Sequence, residues 1–309
     1  MLNNQQIHQS VLINEVIHNL NINPCGNYLD LTAGFAGHSQ KILEKLTTGT
    51  LTINDVDKES INFCQKLFFK NNNVVIIHDN FANFPVHLKQ LSITKFDGIL
   101  MDLGVSSHQL NQPNRGFSFK NDGPIDMRMD QSNQKNTALT VLKNLTEQKL
   151  SLILKKYGDI KHPKPIAIGL KKAVQTKKNL TTTQLAKVVK ECATGFEKYQ
   201  SRNYLAKVFQ AIRIYLNDEI TNLKTALTFI PNLLKNNSRF LVIVFHSIEE
   251  KIVRNFIAKL TSFIQPEALP IKLTPAYQLI TKKPILPSQK ELELNPRSRS
   301  AKLFVIQKN

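Results

Sequence analysis

A chain of 309 residues with 41 Lys/Arg against 23 Asp/Glu, a formal charge of +18, is long enough for one large domain or two ordinary ones. Its 41% apolar content argues against a disordered chain, and its longest apolar run, Phe240–Phe245, is too short to cross a bilayer. The opening Met-Leu-Asn-Asn-Gln-Gln lacks the basic and apolar regions of a signal peptide, and Cys25, Cys64 and Cys192 form no C-x-x-C. A cytoplasmic, reducing setting is expected, with no membrane association, no disulfide framework and no metal site.

Taken in chain order, Ser10 is expected to cap a helix carrying Val11, Leu12, Val16, Ile17 and Leu20, stopped by Pro24 and Gly26. A buried strand follows at Asn27–Leu31, a helix at His38–Leu46, a strand at Thr50–Asn54, a helix at Lys58–Lys70 and a strand at Val74–His78. The fourth strand, Gly98–Leu103, delivers Asp102 to its carboxyl end, and the chain is then expected to break into a Gly/Ser turn rather than a helix. This alternation predicts an α/β fold with a parallel sheet covered on both faces.

From about Asn114 to Asn203 the rhythm is helical only, with segments at Leu139–Leu145, Glu147–Tyr157, Ile166–Val174 and Thr182–Cys192. The α/β pattern then resumes with helices over Tyr204–Leu216 and Asp218–Leu234, a strand at Phe240–Phe245, a helix at Ile248–Leu260 and a last strand at Ala301–Gln307. The expected organisation is a discontinuous α/β domain, residues 1–113 and 204–309, interrupted by an inserted all-helical domain, 114–203, for substrate recognition.

The charge is clustered. Between Lys155 and Lys190 lie ten lysines against one acid, Asp159, and the last 29 residues hold seven Lys/Arg against Glu291 and Glu293. A polyanionic partner is the natural inference, because lysines that neutralise phosphates release counterions.

Ligands of open parallel sheets bind outside the carboxyl ends of the strands, so the residues there are the first site candidates. Asp30-Leu-Thr-Ala-Gly-Phe-Ala-Gly-His38 follows the first strand, and its small residues let backbone N–H groups approach a nucleotide-like ligand. Asp55 ends the second strand, where a carboxylate can accept both hydroxyls of a ribose. Phe81, after the third strand, can pack on an adenine ring or serve as core, and Asp102 ends the fourth. Residues at these loops alone leave a nicotinamide-dependent oxidoreductase open.

Longer phrases decide further. His8–Leu12, Asp30–His38, Asp97–Ser107, Arg115–Phe119, Asp122–Asp130, Phe209–Asn217, Val244–Ile248 and Asn295–Lys302 resemble, in order and over nearly the whole chain, the signatures of the bacterial small-subunit 16S rRNA cytosine-N4 methyltransferase family. The resemblance implies a class I S-adenosylmethionine (SAM) methyltransferase domain of Rossmann-like fold, with the inserted helical domain. It implies SAM as methyl donor and 16S rRNA of the small ribosomal subunit as partner. Carried over by position, cofactor contacts fall on Ala36, Gly37, His38, Asp55, Phe81, Asp102 and Gln109, and Asp102 is the candidate catalytic residue. The family's first loop usually reads Gly-Arg-Gly-Gly-His, whereas here it is Gly34-Phe-Ala-Gly-His38; Ala36 permits a tight turn if its φ is negative. Ser106 and Ser107 can contact the target base or satisfy the turn, His8, His38 and His246 are candidate general bases or structural histidines, and Arg115, Arg128, Arg213, Arg297 and Arg299 can contact RNA or form structural salt bridges. The alternative is a catalytically inactive ribosome-assembly binding protein that retains the fold.

Overall fold

The computed structural model describes residues 10–177, 179–193, 201–262 and 275–309, with the side chains of 201 and 202 excepted, so His8 and Gln9 lie outside the described residues. The chain divides into two compact units, one of residues 1–104 and 221–309, the other Val105–Ile220. Among the described residues no helix is long and apolar enough to cross a membrane.

The first unit runs α1 (Ile13–Leu20), β1 (Asn27–Asp30), α2 (Gly37–Leu43), β2 (Thr50–Asp55), α3 (Lys58–Leu67), β3 (Val74–His78), α4 (Phe84–His87) and β4 (Phe96–Asp102). The second unit holds α5 (Ser107–Asn111), α6 (Ala138–Asn144), α7 (Glu147–Gly158), α8 (Pro163–Thr176), α9 (Thr182–Cys192) and α10 (Ser201–Leu216). The chain returns to the first unit within α11 (Glu219–Leu233) and continues as β5 (Leu234–Val244), α12 (Ser247–Thr261), β6 (Tyr277–Leu279), α13 (Gln289–Leu294) and β7 (Lys302–Lys308).

The seven strands form one sheet in the order β3-β2-β1-β4-β5-β7-β6. β1 to β5 are parallel, and β7 enters antiparallel between β5 and β6. Central strands buried on both faces must be apolar throughout, and alternate residues go to opposite cores. Thus Ile99, Met101, Phe240, Val242 and Val244 join the core under α4, α11 and α12, while Leu100, Leu241 and Ile243 join that under α1, α2 and α3. Each such side chain contributes roughly 1.5–3 kcal/mol by leaving water.

Strand order reverses between β1 and β4, and at that point two carboxylates, Asp30 and Asp102, stand at the ends of neighbouring strands. α1 differs from the expected capping: Leu12, not Ser10, occupies the N-cap, in the left-handed region at φ 54°, with no side-chain cap. β6 has no counterpart in the sequence reading, because three residues in a proline-rich tail carry no periodicity.

The second unit has its own core, in which Leu150, Leu154, Ile166, Leu170, Leu185, Val208 and Ile212 are buried. Gly158 lets α7 and α10 approach, since a Cβ there would stand 2.8 Å from the Lys207 carbonyl. Pro163 starts α8, at a position where a missing N–H costs nothing. Compared with residues 114–203, this unit is wider at both ends and takes in α5 and α10.

Its charges sort into two groups. Lys171 is buried and donates from Nζ to the carbonyls of Leu142 and Lys143 (3.1 and 2.7 Å), closing the end of α6. The other described lysines of the 155–190 run are exposed. Three arginines are held inside the fold: Arg115 is fully buried and donates to the carbonyls of Arg128 and Met129. Arg128 forks onto Asp126, and Arg213 forks onto Glu219.

Asn217 anchors the loop between them, accepting from the Met129 N–H and donating to the Met127 carbonyl, each at 2.9 Å. Asn217→Ala leaves both backbone groups unmade and is expected to cost about 1–3 kcal/mol, read as a lower urea midpoint. Asn217→Asp, which keeps only the acceptor, should fall between the two.

Candidate active site

The carboxyl edge of the sheet is lined with acids that the fold has withdrawn from water. Asp30 is 1% exposed, and it accepts from Ser39 Oγ (2.6 Å) and the Thr32 N–H (3.1 Å). Burial pushes its carboxyl up to about 6 against those two bonds. Asp55 accepts the N–H groups of Gly34 and Asp57, both at 2.7 Å, and burial pushes it up to about 7, with the charges of Asp57 and Asp30 adding to the rise. Asp55 does not cap α3; Asp57 does, accepting from the Glu59 N–H at 3.0 Å.

Asp102 is held by its backbone, the N–H donating to Thr32 Oγ1 at 2.6 Å, while its Oδ1 is buried with no hydrogen-bond partner. Burial, then the charges of Asp30 and Glu249, raise its carboxyl well above the usual range. Among the described residues none of these three acids is paired with Lys or Arg.

His38, on α2, brings its Nε2 to 2.9 Å from the Val11 carbonyl and its Nδ1 to 3.8 Å from Asp102 Oδ2. A carbonyl only accepts, so Nε2 carries the hydrogen. Burial lowers the ring to about 4, which leaves it neutral and Nδ1 bare at neutral pH. Nδ1 therefore presents its lone pair toward the Asp102 carboxyl across 3.8 Å.

The loop ahead of α2 is tight. Gly34 and Ala36 both have positive φ, 51° and 61°, so Ala36 does not take the negative φ under which a tight turn was expected. Its N–H donates to the Ala33 carbonyl at 2.8 Å, and the turn closes in the left-handed region at a strain of about 1–2 kcal/mol. Gly37 leaves room for Ser10, whose Oγ a Cβ there would meet.

The structure thus brings together Ala36, Gly37, His38, Asp55 and Asp102 at adjacent strand ends, with Phe81 half-buried in the turn after β3. Gln109 belongs to the second unit. There it closes a capping box: Ser106 Oγ accepts the Gln109 N–H (3.2 Å) and Gln109 Oε1 accepts the Ser106 N–H (3.0 Å). The chain after Asp102 does enter a helix, α5, three residues beyond the Leu103-Gly104 turn.

Four residues escaped the sequence reading. Asp30 and Thr32 lie inside the Asp30–His38 motif, where the small residues of the loop are the stronger signal. Asp79 accepts His87 Nε2 (2.7 Å) and Asn83 Nδ2 (2.9 Å) in the turn that carries Phe81. Glu249 accepts the Phe245 N–H (2.8 Å) and the His246 N–H (3.3 Å), and its own N–H donates to His246 Nδ1, so His246 is a helix cap with Nδ1 occupied. A cap residue followed three positions later by Glu was the signal for that pair.

A parallel sheet of this order, closed by an antiparallel β7 and carrying acids at the ends of β1, β2 and β4, defines a class I SAM-dependent methyltransferase of Rossmann-like fold. The residues suit that cofactor, since a buried carboxylate oxygen without a partner and acids without cations await a ligand with donors and positive charge. Residues 5–309 match the MraW methylase family, and the chain belongs to that family. A Mycoplasma pneumoniae protein named ribosomal RNA small subunit methyltransferase H is 65% identical over 308 residues, covering 100% of both chains. Proteins of the same name from Mycoplasmoides gallisepticum and Clostridioides difficile are 43% and 40% identical, over 100% and 97% of this chain and 99% and 98% of theirs.

Gly37→Ala is expected to cost about 1–3 kcal/mol by overpacking, and adding Ser10→Gly should recover most of the loss in thermal unfolding. Asp55 supplies a pH signature. Its folded value of about 7 exceeds the ordinary 3.8, so between those values the folded chain holds a proton that the unfolded chain has lost. The ligand-free protein therefore loses stability as pH rises through that window. Asp55→Asn should flatten that fall in Tm against pH.

Proposed function

We propose that this chain transfers the methyl group of SAM to the N4 exocyclic amine of one cytidine in the decoding region of 16S rRNA. The proposed substrate form is an assembled or nearly assembled small subunit in the cytoplasm. The observation that carries the reading is Asp102, a carboxylate with one buried, unpartnered oxygen at the strand end beside the switch point of the sheet. The whole-length relatives named as small-subunit rRNA methyltransferases support the substrate class.

In this reading Asp55 accepts the ribose hydroxyls, Phe81 covers the adenine, and the loop of Ala36, Gly37 and His38 closes on the amino-acid end of the cofactor. Bound SAM supplies an electrophilic methyl on a sulfonium. The exocyclic amine is a weak nucleophile because its lone pair is delocalised into the ring, so positioning must carry much of the rate. Asp102 accepts an N–H of that amine, which keeps the nitrogen aligned, and its raised carboxyl value suits it to take the proton released. His246 is poorly placed as a base, since its Nδ1 accepts the Glu249 N–H.

The target base is unstacked to reach the strand ends. The helical unit Val105–Ile220, with 20 Lys/Arg against nine Asp/Glu, presents exposed lysines to the phosphates. Arg115, Arg128 and Arg213 are already engaged within that unit and serve its fold rather than the RNA. Gln109 keeps its place in the cap of α5.

Small subunits lacking their decoding-region methylation are incubated with labelled SAM, and the digested nucleosides are identified by mass spectrometry. N4-methylcytidine is expected, with Asp102→Ala reducing turnover by roughly 10²- to 10⁴-fold at little change in Tm. SAM binding with no methyl transfer would instead identify an assembly-binding protein, and a methyl on another base would overturn the substrate.

A further inference from the structure

The helix α13 lies far along the chain from the cofactor loop, yet one of its side chains reaches back to residues that precede that loop. Glu291 Oε1 accepts the N–H of Leu12 at 2.8 Å, across 279 residues of sequence. Leu12 is fully buried and sits in the left-handed region at φ 54°, a conformation that a branched side chain enters at a cost. The neighbouring carbonyl, that of Val11, is the group 2.9 Å from His38 Nε2. His38 Nδ1 in turn stands 3.8 Å from Asp102 Oδ2.

We propose that Glu291 is a positioning residue for the methyl-transfer site: by holding the Leu12 N–H it fixes the strained turn whose carbonyl selects the His38 tautomer that faces Asp102. The inference rests on the cofactor reading of that loop but concerns a residue outside it.

A peptide plane joins Val11 and Leu12, so fixing the Leu12 N–H fixes the direction of the Val11 carbonyl. That carbonyl admits only a donor, which places the ring hydrogen on Nε2 and leaves Nδ1 as the acceptor toward the cofactor pocket. Removing the Glu291 carboxylate takes away the acceptor that holds the Leu12 N–H. Glu291 is itself half-buried, at the third position of α13, and its own N–H donates to the capping Ser288 Oγ at 3.2 Å, so the helix start holds the carboxylate in place.

The test uses the full chain with nitrogen-15-labelled histidine. Ring nitrogen shifts of His38 are read in the ligand-free protein, and SAM dissociation constants and methyl-transfer kinetics are measured alongside. In the native chain the Nε2–H tautomer should dominate. Glu291→Ala should give a tautomer mixture and weaken SAM binding by roughly two- to thirtyfold, with kcat at saturating SAM falling less than kcat/KM. Glu291→Gln, which keeps the acceptor and the reach but loses the charge, should restore both readouts. Glu291→Asp, which keeps the charge but is one methylene short, should not.

Unchanged His38 shifts in Glu291→Ala, or rescue by Asp but not Gln, would overturn the proposal. If the Ala variant fails to fold, the Gln and Asp pair still decides between reach and charge. Failure of the native chain to bind SAM would strike the cofactor reading instead, and the His38 shifts would still report on Glu291.

Discussion

Everything at the working edge of this molecule follows from burying carboxylates without cations. Parallel strands end side by side, so the acids that terminate β1, β2 and β4 are neighbours by topology rather than by sequence. Ionised in that position they would repel and lack hydration, and the fold answers with backbone and hydroxyl donors. Ser39 and Thr32 serve Asp30, and the N–H groups of Gly34 and Asp57 serve Asp55. The donors offset only part of the desolvation, so Asp30 and Asp55 keep values of about 6 and 7. Asp102, whose Oδ1 receives no donor, is likewise raised well above the usual carboxylate range by burial. Such an edge is uncomfortable when empty and suited to a ligand that brings hydroxyls, an amine and positive charge.

The same topology explains what could be seen in the sequence. Central strands need continuous apolar residues, and the run at Ile99–Met101 announces itself; so does Asp102, the acid that ends it. Helices with separated polar and apolar faces, such as Thr182–Cys192, are equally plain. The position of a strand-end acid is therefore legible, because it is set by periodicity. What it touches is not. Asp55 could have capped α3 on sequence grounds, and only the folded turn shows Asp57 in that role. Ser10 looked like a cap, but the turn before α1 is decided by Leu12 and by a carboxylate 279 residues away.

Two misreadings have different origins. The helix α5 was readable, since Ser106 and Gln109 stand at capping-box spacing; the glycine before them drew attention to a turn instead. The arginines were not readable. A guanidinium looks the same in a sequence whether it waits for phosphate or is locked to a carbonyl. Burial of Arg115 and the forked pairs of Arg128 and Arg213 come from contacts that no local pattern encodes. Lysines differ: apart from Lys171, those described in the 155–190 run remain in water, as a flexible stem with a strongly hydrated end favours. The electrostatic reading of the helical unit thus moves from arginine to lysine, from bidentate recognition to a field of point charges that positions without specifying sequence.

Specificity then falls to the strand ends. A lysine field grips any backbone of suitable shape, whereas the residues near Asp102 are few and fixed. Thr32 holds its backbone, and the ring of His38 has one tautomer imposed by a carbonyl. Left-handed residues recur around these points, Leu12 before the loop and Gly34 and Ala36 within it. Non-glycine residues hold such conformations only where the surroundings compel them. Here the surroundings are the acceptor from α13 and the close packing of Gly37 against Ser10. Strain of this kind makes the loop a single shape rather than an ensemble, and a fixed shape is what a weak nucleophile requires, because its rate depends on alignment more than on any base. In the proposed reading the two surfaces divide the labour: diffuse charge to find the RNA, and a strained, acid-lined edge to choose the atom.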